Sequence, residues 1–285
     1  MTSRLELATF VTIVCAESLR GNFLHSGSLH RTTYGRNAMK RDTRLWISVL
    51  GALSMAFAGV TAGVVATPFP AAAAEVQSSI VRGGKLYDKW YKVIKAEAPK
   101  KAHPAYPADR KYAKKPKSNW RCKECHGWDA MGKDGAYATG KHSTGIKGIN
   151  GMAGADPAKI VAVLKDKTHG YAGKMDEADF QDLALFVSKG QVDMGAYIDR
   201  ATNKPKGDKA KGEVYFNTIC AQCHGKDGLQ PKDMKPMGKQ MGNPWEVMHK
   251  ILNGQPGEQM PALRALDRQI VVDIMSHMTT LPKKR

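Results

Sequence analysis

Two pentapeptides concentrate the reactive side chains of this sequence: Cys122-Lys-Glu-Cys125-His126 and Cys220-Ala-Gln-Cys223-His224. Three chemistries use paired thiols at this spacing. A four-thiolate zinc site takes two such pairs, but about 15–20 residues normally separate them, and here Cys125 and Cys220 stand 95 positions apart. A redox-active dithiol needs a strand–helix–strand context, and none is visible around either copy. The third chemistry also uses the His after each pair. Two thiols about one helical turn apart can add to the two vinyl groups of a haem, and the adjoining imidazole is then held beneath the iron as an axial ligand. A His in both copies selects this chemistry. It predicts two covalently bound haem c groups, with Cys122, Cys125, Cys220 and Cys223 as thioether donors and His126 and His224 as proximal ligands.

Such motifs need helices to close around them. Gln269 to Met278 places Ile270, Val271, Ile274 and Met278 at helical spacing, and Phe180, Leu183, Leu185, Phe186 and Val187 mark a second closing helix. Around each motif the sequence resembles a class I cytochrome c domain, in which an N-terminal helix precedes the haem motif and a C-terminal helix crosses it. Gly212-Glu-Val-Tyr-Phe216 matches that family's glycine and aromatic pair on the first helix, and Gly84-Lys-Leu-Tyr87-Asp-Lys-Trp90 looks like its counterpart. The resemblance covers residues 80–283. It implies an all-α fold of two tandem class I cytochrome c domains, at 75–199 and 212–285, joined by a polar linker at 200–211. Lys95 to Asn119 reads as an insertion in the first domain. Its four prolines predict an extended loop, and its eight basic groups suit either a docking surface or a solvated cover. Each domain alone would bury little surface, and haem would supply the missing core.

In this family a Met between the haem motif and the last helix usually closes the distal side of the iron. The resemblance implies Met260 for the second domain, in Gly257-Glu-Gln-Met260-Pro261, 36 positions after His224. The first domain has no Met-Pro pair. Met175 follows Gly173 and leads into the closing helix, which makes it the expected ligand, with His169 as the alternative. The choice bears on potential, because a thioether ligand raises it relative to a second imidazole.

Residues 1–38 resemble neither a targeting signal nor a domain, and suggest an over-extended N-terminus. Residues 39–74 read as a secretory signal: Met39-Lys40-Arg41 and Arg44 are basic, Leu45 to Val65 is apolar, and Ala71 to Ala74 are small residues before the expected cut. Left uncleaved, that segment would be a membrane anchor. Removing residues 1–74 leaves 37 basic and 23 acidic side chains, a net of +14 against +18 for the full 285 residues. An exported basic haem protein implies an acidic redox partner steered by charge, with no nucleic acid. Together these readings point to a periplasmic dihaem electron carrier rather than an enzyme. The alternatives are a haem c electron-accepting subunit of a periplasmic dehydrogenase, or a dihaem enzyme similar to thiosulfate dehydrogenases. The latter often use a Cys ligand, and no cysteine remains spare after residue 74 once both haems are attached.

Overall fold

A computed structural model describes the chain from Phe69 to Arg285. The 1–38 stretch and the apolar part of the 39–74 signal lie outside the described residues, while Ala71 to Ala74 fall in the first helix. The order is α1 (Phe69–Val93), α2 (Pro116–Asn119), α3 (Cys122–His126), α4 (Pro157–Leu164) and α5 (Glu177–Lys189). The pair β1 (Ile198–Asp199) and β2 (Lys204–Pro205) follows, then α6 (Lys209–Ile219), α7 (Ala221–His224), α8 (Met237–Gln240), α9 (Pro244–Asn253) and α10 (Arg268–Met278). The fold is therefore mostly helical, with one small two-stranded antiparallel sheet among the described residues. Among those residues, no helix is long and apolar enough to cross a membrane.

Local sequence explains where the longer helices begin. Asp156, Asp208 and Asp267 each accept a backbone N–H two residues on, and Asp176 forms a reciprocal capping box with Asp179. Pro157 and Pro244 occupy first-turn positions, where their missing N–H costs nothing.

Two helix pairs cross in the same manner. A Cβ on Gly83 of α1 would lie 2.0 Å from the Asp182 carbonyl oxygen of α5, and one on Gly212 of α6 would lie 1.9 Å from that of Asp273 on α10. One turn later, Tyr87 and Phe216 are buried against the partner helices. The glycine equivalent to Gly212 is thus Gly83, not the expected Gly84. Successive helical residues point about 100° apart, so Gly84 faces another neighbour: its Cβ would strike the Asn253 side chain of α9 at 2.4 Å.

That second contact belongs to a broad seam between α1 and α9. His249 Nε2 donates to the Gly84 carbonyl at 2.9 Å. Asp88 is buried there and bonds both Lys250 Nζ, at 2.6 Å, and Arg121. Next to it the helix kinks at Lys89, and the Asp88 carbonyl accepts from Arg121 Nε at 2.7 Å. Burial pushes the Asp88 carboxyl up, but Lys250 and Arg121 outweigh it and hold the group below the usual carboxylate range.

The described core forms two apolar clusters. One lies among α1, α4 and α5; the other gathers α6, α9 and α10 and also takes in Trp128, Tyr137, Met194 and Ile198 from earlier in the chain. Residues 200–211, expected as a linker, are mostly exposed but tethered at three points. Arg200 pairs with Asp129 at 2.8 Å, Trp245 Nε1 donates to Asn203, and the Gly207 N–H donates to Ser276 Oγ.

Candidate functional site

The first motif occupies one short helix, α3, so Cys122 and Cys125 stand a turn apart with His126 at its end. Three side chains fix that helix. The carbonyl of Trp120, just before it, accepts from Trp90 Nε1 at 3.0 Å and from the Tyr171 hydroxyl at 2.9 Å. The carbonyl of Gly127, just after it, accepts from the Tyr87 hydroxyl at 2.6 Å. Gly127 ends the helix with φ +79, a conformation that favours glycine.

The loop beyond then returns to the histidine. His126 Nδ1 lies 2.9 Å from the Lys147 carbonyl. A carbonyl can only accept, so Nδ1 carries the proton and Nε2 keeps its lone pair for a metal. Gly132 pairs with Lys147 in an isolated bridge that holds this carbonyl in place. Burial holds the His126 imidazole below its ordinary value, which keeps it neutral and able to ligate. Both thiols are free and half-buried, and burial pushes Cys122 up to about 11 and Cys125 up to about 12.

Sequence reading passed over the two residues between the cysteines. Glu124 is only 1% exposed; its carboxylate accepts from Lys123 Nζ and His142 Nδ1, each at 2.6 Å. Burial would raise the Glu124 carboxyl, but His142 and Lys123 carry it down. The His142 ring is sandwiched between Tyr112 and Tyr137, at 4.9 and 4.6 Å. No sequence signal marked Glu124, because a charged residue in a short helix ordinarily faces water.

The second motif repeats the pattern. Cys220 caps α7, whose last residue is His224, and Gly225 follows with φ +72. His224 Nδ1 lies 3.3 Å from the Gln230 carbonyl, again leaving Nε2 free. Cys220 is half-buried and Cys223 exposed, and burial pushes the Cys220 thiol up to about 11. Met260 lies between α9 and α10, half-buried and packed against the second cluster. Neither the Lys147 nor the Gln230 carbonyl has a side-chain signature, so residue types could not reveal them.

The two alternative ligands of the first motif lie in different surroundings. Met175 is 8% exposed and packed within the first cluster. His169 lies in the α4–α5 loop, and its ring centre is 6.4 Å from that of His126. The expected loop at 95–119 has no regular secondary structure before α2, but hydrogen bonds tie it down. Asn119 is buried and bonds the His103 N–H and the carbonyls of Tyr112 and Ala113, while Tyr106 is buried as well. The segment's lysines remain exposed. Pro-rich composition does not report such long-range hydrogen bonds.

The donor chemistry fits a covalently held haem at each motif. Two thiols lie within one helical turn, and a neutral imidazole has its Nδ1 already committed. Among the described residues, no three or more His, Cys, Asp or Glu side chains gather into a joint metal cluster.

Residues 207–278 match the family model described as cytochrome c oxidase, cbb3-type, subunit III. No curated protein and no solved structure matches the chain. The matched stretch holds the α6–α10 crossing, the second cysteine–histidine motif, the Gln230 loop and Met260, and a cytochrome c domain binds haem c covalently and carries electrons. This chain therefore carries a c-type cytochrome domain.

Proposed function

We propose that the protein is an exported dihaem cytochrome c that passes single electrons between protein partners in the periplasm. The observation carrying the second haem is the repetition, around the first motif, of what surrounds the matched one. In both copies a glycine permits the helix crossing, an aromatic follows one turn later, a left-handed glycine ends the motif helix, and a backbone carbonyl takes the histidine Nδ1 proton. On this reading the copies form two tandem domains.

Bound haem c supplies a one-electron couple, and the surrounding protein tunes it. Cys122 and Cys125 would hold one group, and Cys220 and Cys223 the other. His126 and His224 would ligate through Nε2, with orientation set by Lys147 and Gln230. Met260 would close the second iron with a thioether, which favours the reduced state. The exposed lysines of the 95–119 segment suit an acidic redox partner, approached by charge steering and held by a small transient contact. The 39–74 segment supports export, the compartment in which a bacterial chain would receive covalent haem.

The test is a haem count on the chain expressed with haem-attachment machinery. Intact-mass spectrometry should show two haem additions, and Cys122→Ala with Cys125→Ala should remove one. A wild-type chain holding a single haem would refute the dihaem reading. N-terminal sequencing should begin at Glu75; a start upstream would mean that the signal is retained.

A further inference from the structure

The geometry points to His169, rather than Met175, as the distal iron ligand at the first motif. The inference rests on the dihaem reading and deepens it, because it makes the two haems chemically unequal.

The His126 and His169 ring centres lie 6.4 Å apart, with ring planes within 22° of each other. An imidazole nitrogen sits about 2 Å from a bound transition metal, and the ring centre about 1 Å further, so two imidazoles facing across one metal have centres about 6 Å apart. The 6.4 Å separation is therefore compatible with both imidazoles ligating one iron.

The surroundings also prepare His169 for the role. Its Nδ1 lies 3.1 Å from Asp166 Oδ1, and its backbone N–H donates to the same oxygen at 2.8 Å. Asp166 thus does for His169 what the Lys147 carbonyl does for His126. It accepts the Nδ1–H hydrogen bond and leaves Nε2 free to ligate. The His169 carbonyl accepts from His103 Nε2 at 2.9 Å, which ties the distal loop to the 95–119 segment. The turn closes through the Gly170 N–H on the Asp166 carbonyl, with Gly170 at φ +63. His103, itself buried against Trp120, is therefore a positioning residue for the ligand. Met175, by contrast, is nearly buried in the apolar cluster among α1, α4 and α5, a common use of methionine.

A bis-imidazole iron would have a lower potential than a His/Met iron. Electrons would then enter at the first motif and leave from the second.

The test uses the oxidised holoprotein with its haem count established. The charge-transfer band of Met-ligated ferric haem should have the intensity of one site per two haems. Met175→Leu should leave it unchanged, Met260→Leu should abolish it, and His169→Met should double it. His169→Ala should let carbon monoxide bind one reduced haem, with added imidazole competing it away. A two-site band in the wild type, or loss of half the band in Met175→Leu, would overturn the assignment. A holoprotein with one haem fails at the counting step; the dihaem reading would then fall, and this ligation with it.

Discussion

Gly83→Ala tests whether the α1–α5 crossing depends on the absence of a side chain. The new Cβ would lie 2.0 Å from the Asp182 carbonyl oxygen and 2.7 Å from Phe186 Cβ, whereas ordinary contact begins at 3.4 Å. Backbone cannot rotate away as a lysine tip can, so the helices must part by about 1.4 Å along that line. A gap of about 0.5–1 Å already forfeits a quarter to a half of a contact's dispersion well. The cluster at this seam includes Leu86, Tyr87, Phe180 and Leu183, all 2% exposed or less. If each gains about 2 kcal/mol from burial, losing a third across four of them costs about 3 kcal/mol. Alanine returns about 1 kcal/mol through better helix propensity, so the expected net loss is about 2 kcal/mol. Guanidinium unfolding of the haem-loaded protein, followed by far-ultraviolet circular dichroism, measures it. Gly151→Ala is the control: nothing lies within 4 Å of its Cβ, and a shift within about 0.5 kcal/mol is expected. A Gly83→Ala protein as stable as the wild type, or more so, would refute the reasoning, since the crossing would then cost no more than the propensity gain of about 1 kcal/mol.

Burial holds the His249 imidazole down at about 4, against about 6.5 when unfolded, so the unfolded chain binds the extra proton between those values. The stability from the neutral ring is complete above about pH 6.5, falls as pH drops and is exhausted near pH 4. About 2 kcal/mol should be lost between pH 7 and 5, and His249→Gln should flatten that part of a stability–pH profile; equal slopes would contradict it. Asp88→Asn leaves Lys250 and Arg121 without their carboxylate and should cost about 3 kcal/mol by urea unfolding. Adding Lys250→Met should recover part of that loss, whereas a neutral Asp88→Asn would mean the pair is idle. Asp176→Ala removes the α5 capping box and should lower stability by about 1 kcal/mol. It should also speed amide exchange in the first turn of α5, and unchanged exchange there would count against the cap.

The parts legible in the sequence are those that act over one or two helical turns. The two cysteine–histidine motifs are local, as are the apolar faces of α5 and α10, and all stand out from spacing alone. The seam between α1 and α9 was illegible because its members sit 160 or more positions apart, as with Lys250 and Asp88. Asp88 in isolation reads as a surface charge. The Gly83-Gly84 pair shows the same limit: either could mark a crossing, and only the third dimension assigns one to α5 and the other to α9. At 95–119 proline content agrees with a loop, while the buried Asn119 that ties it down has no signature in composition. Chain position also leaves the rival ligands His169 and Met175 open, because neither aligns with Met260.

Trp128 and Tyr137 follow the first cysteine motif in the chain, yet they are built into the apolar cluster of the second. On the tandem reading proposed above, domains that share side chains in this way are not modular. Cutting at the β1–β2 hairpin would strip Trp245 of its cover and tear two aromatics from a core they help fill. Neither half is then free to be exchanged, duplicated or lost alone, and a change in one must be matched by a change in the other.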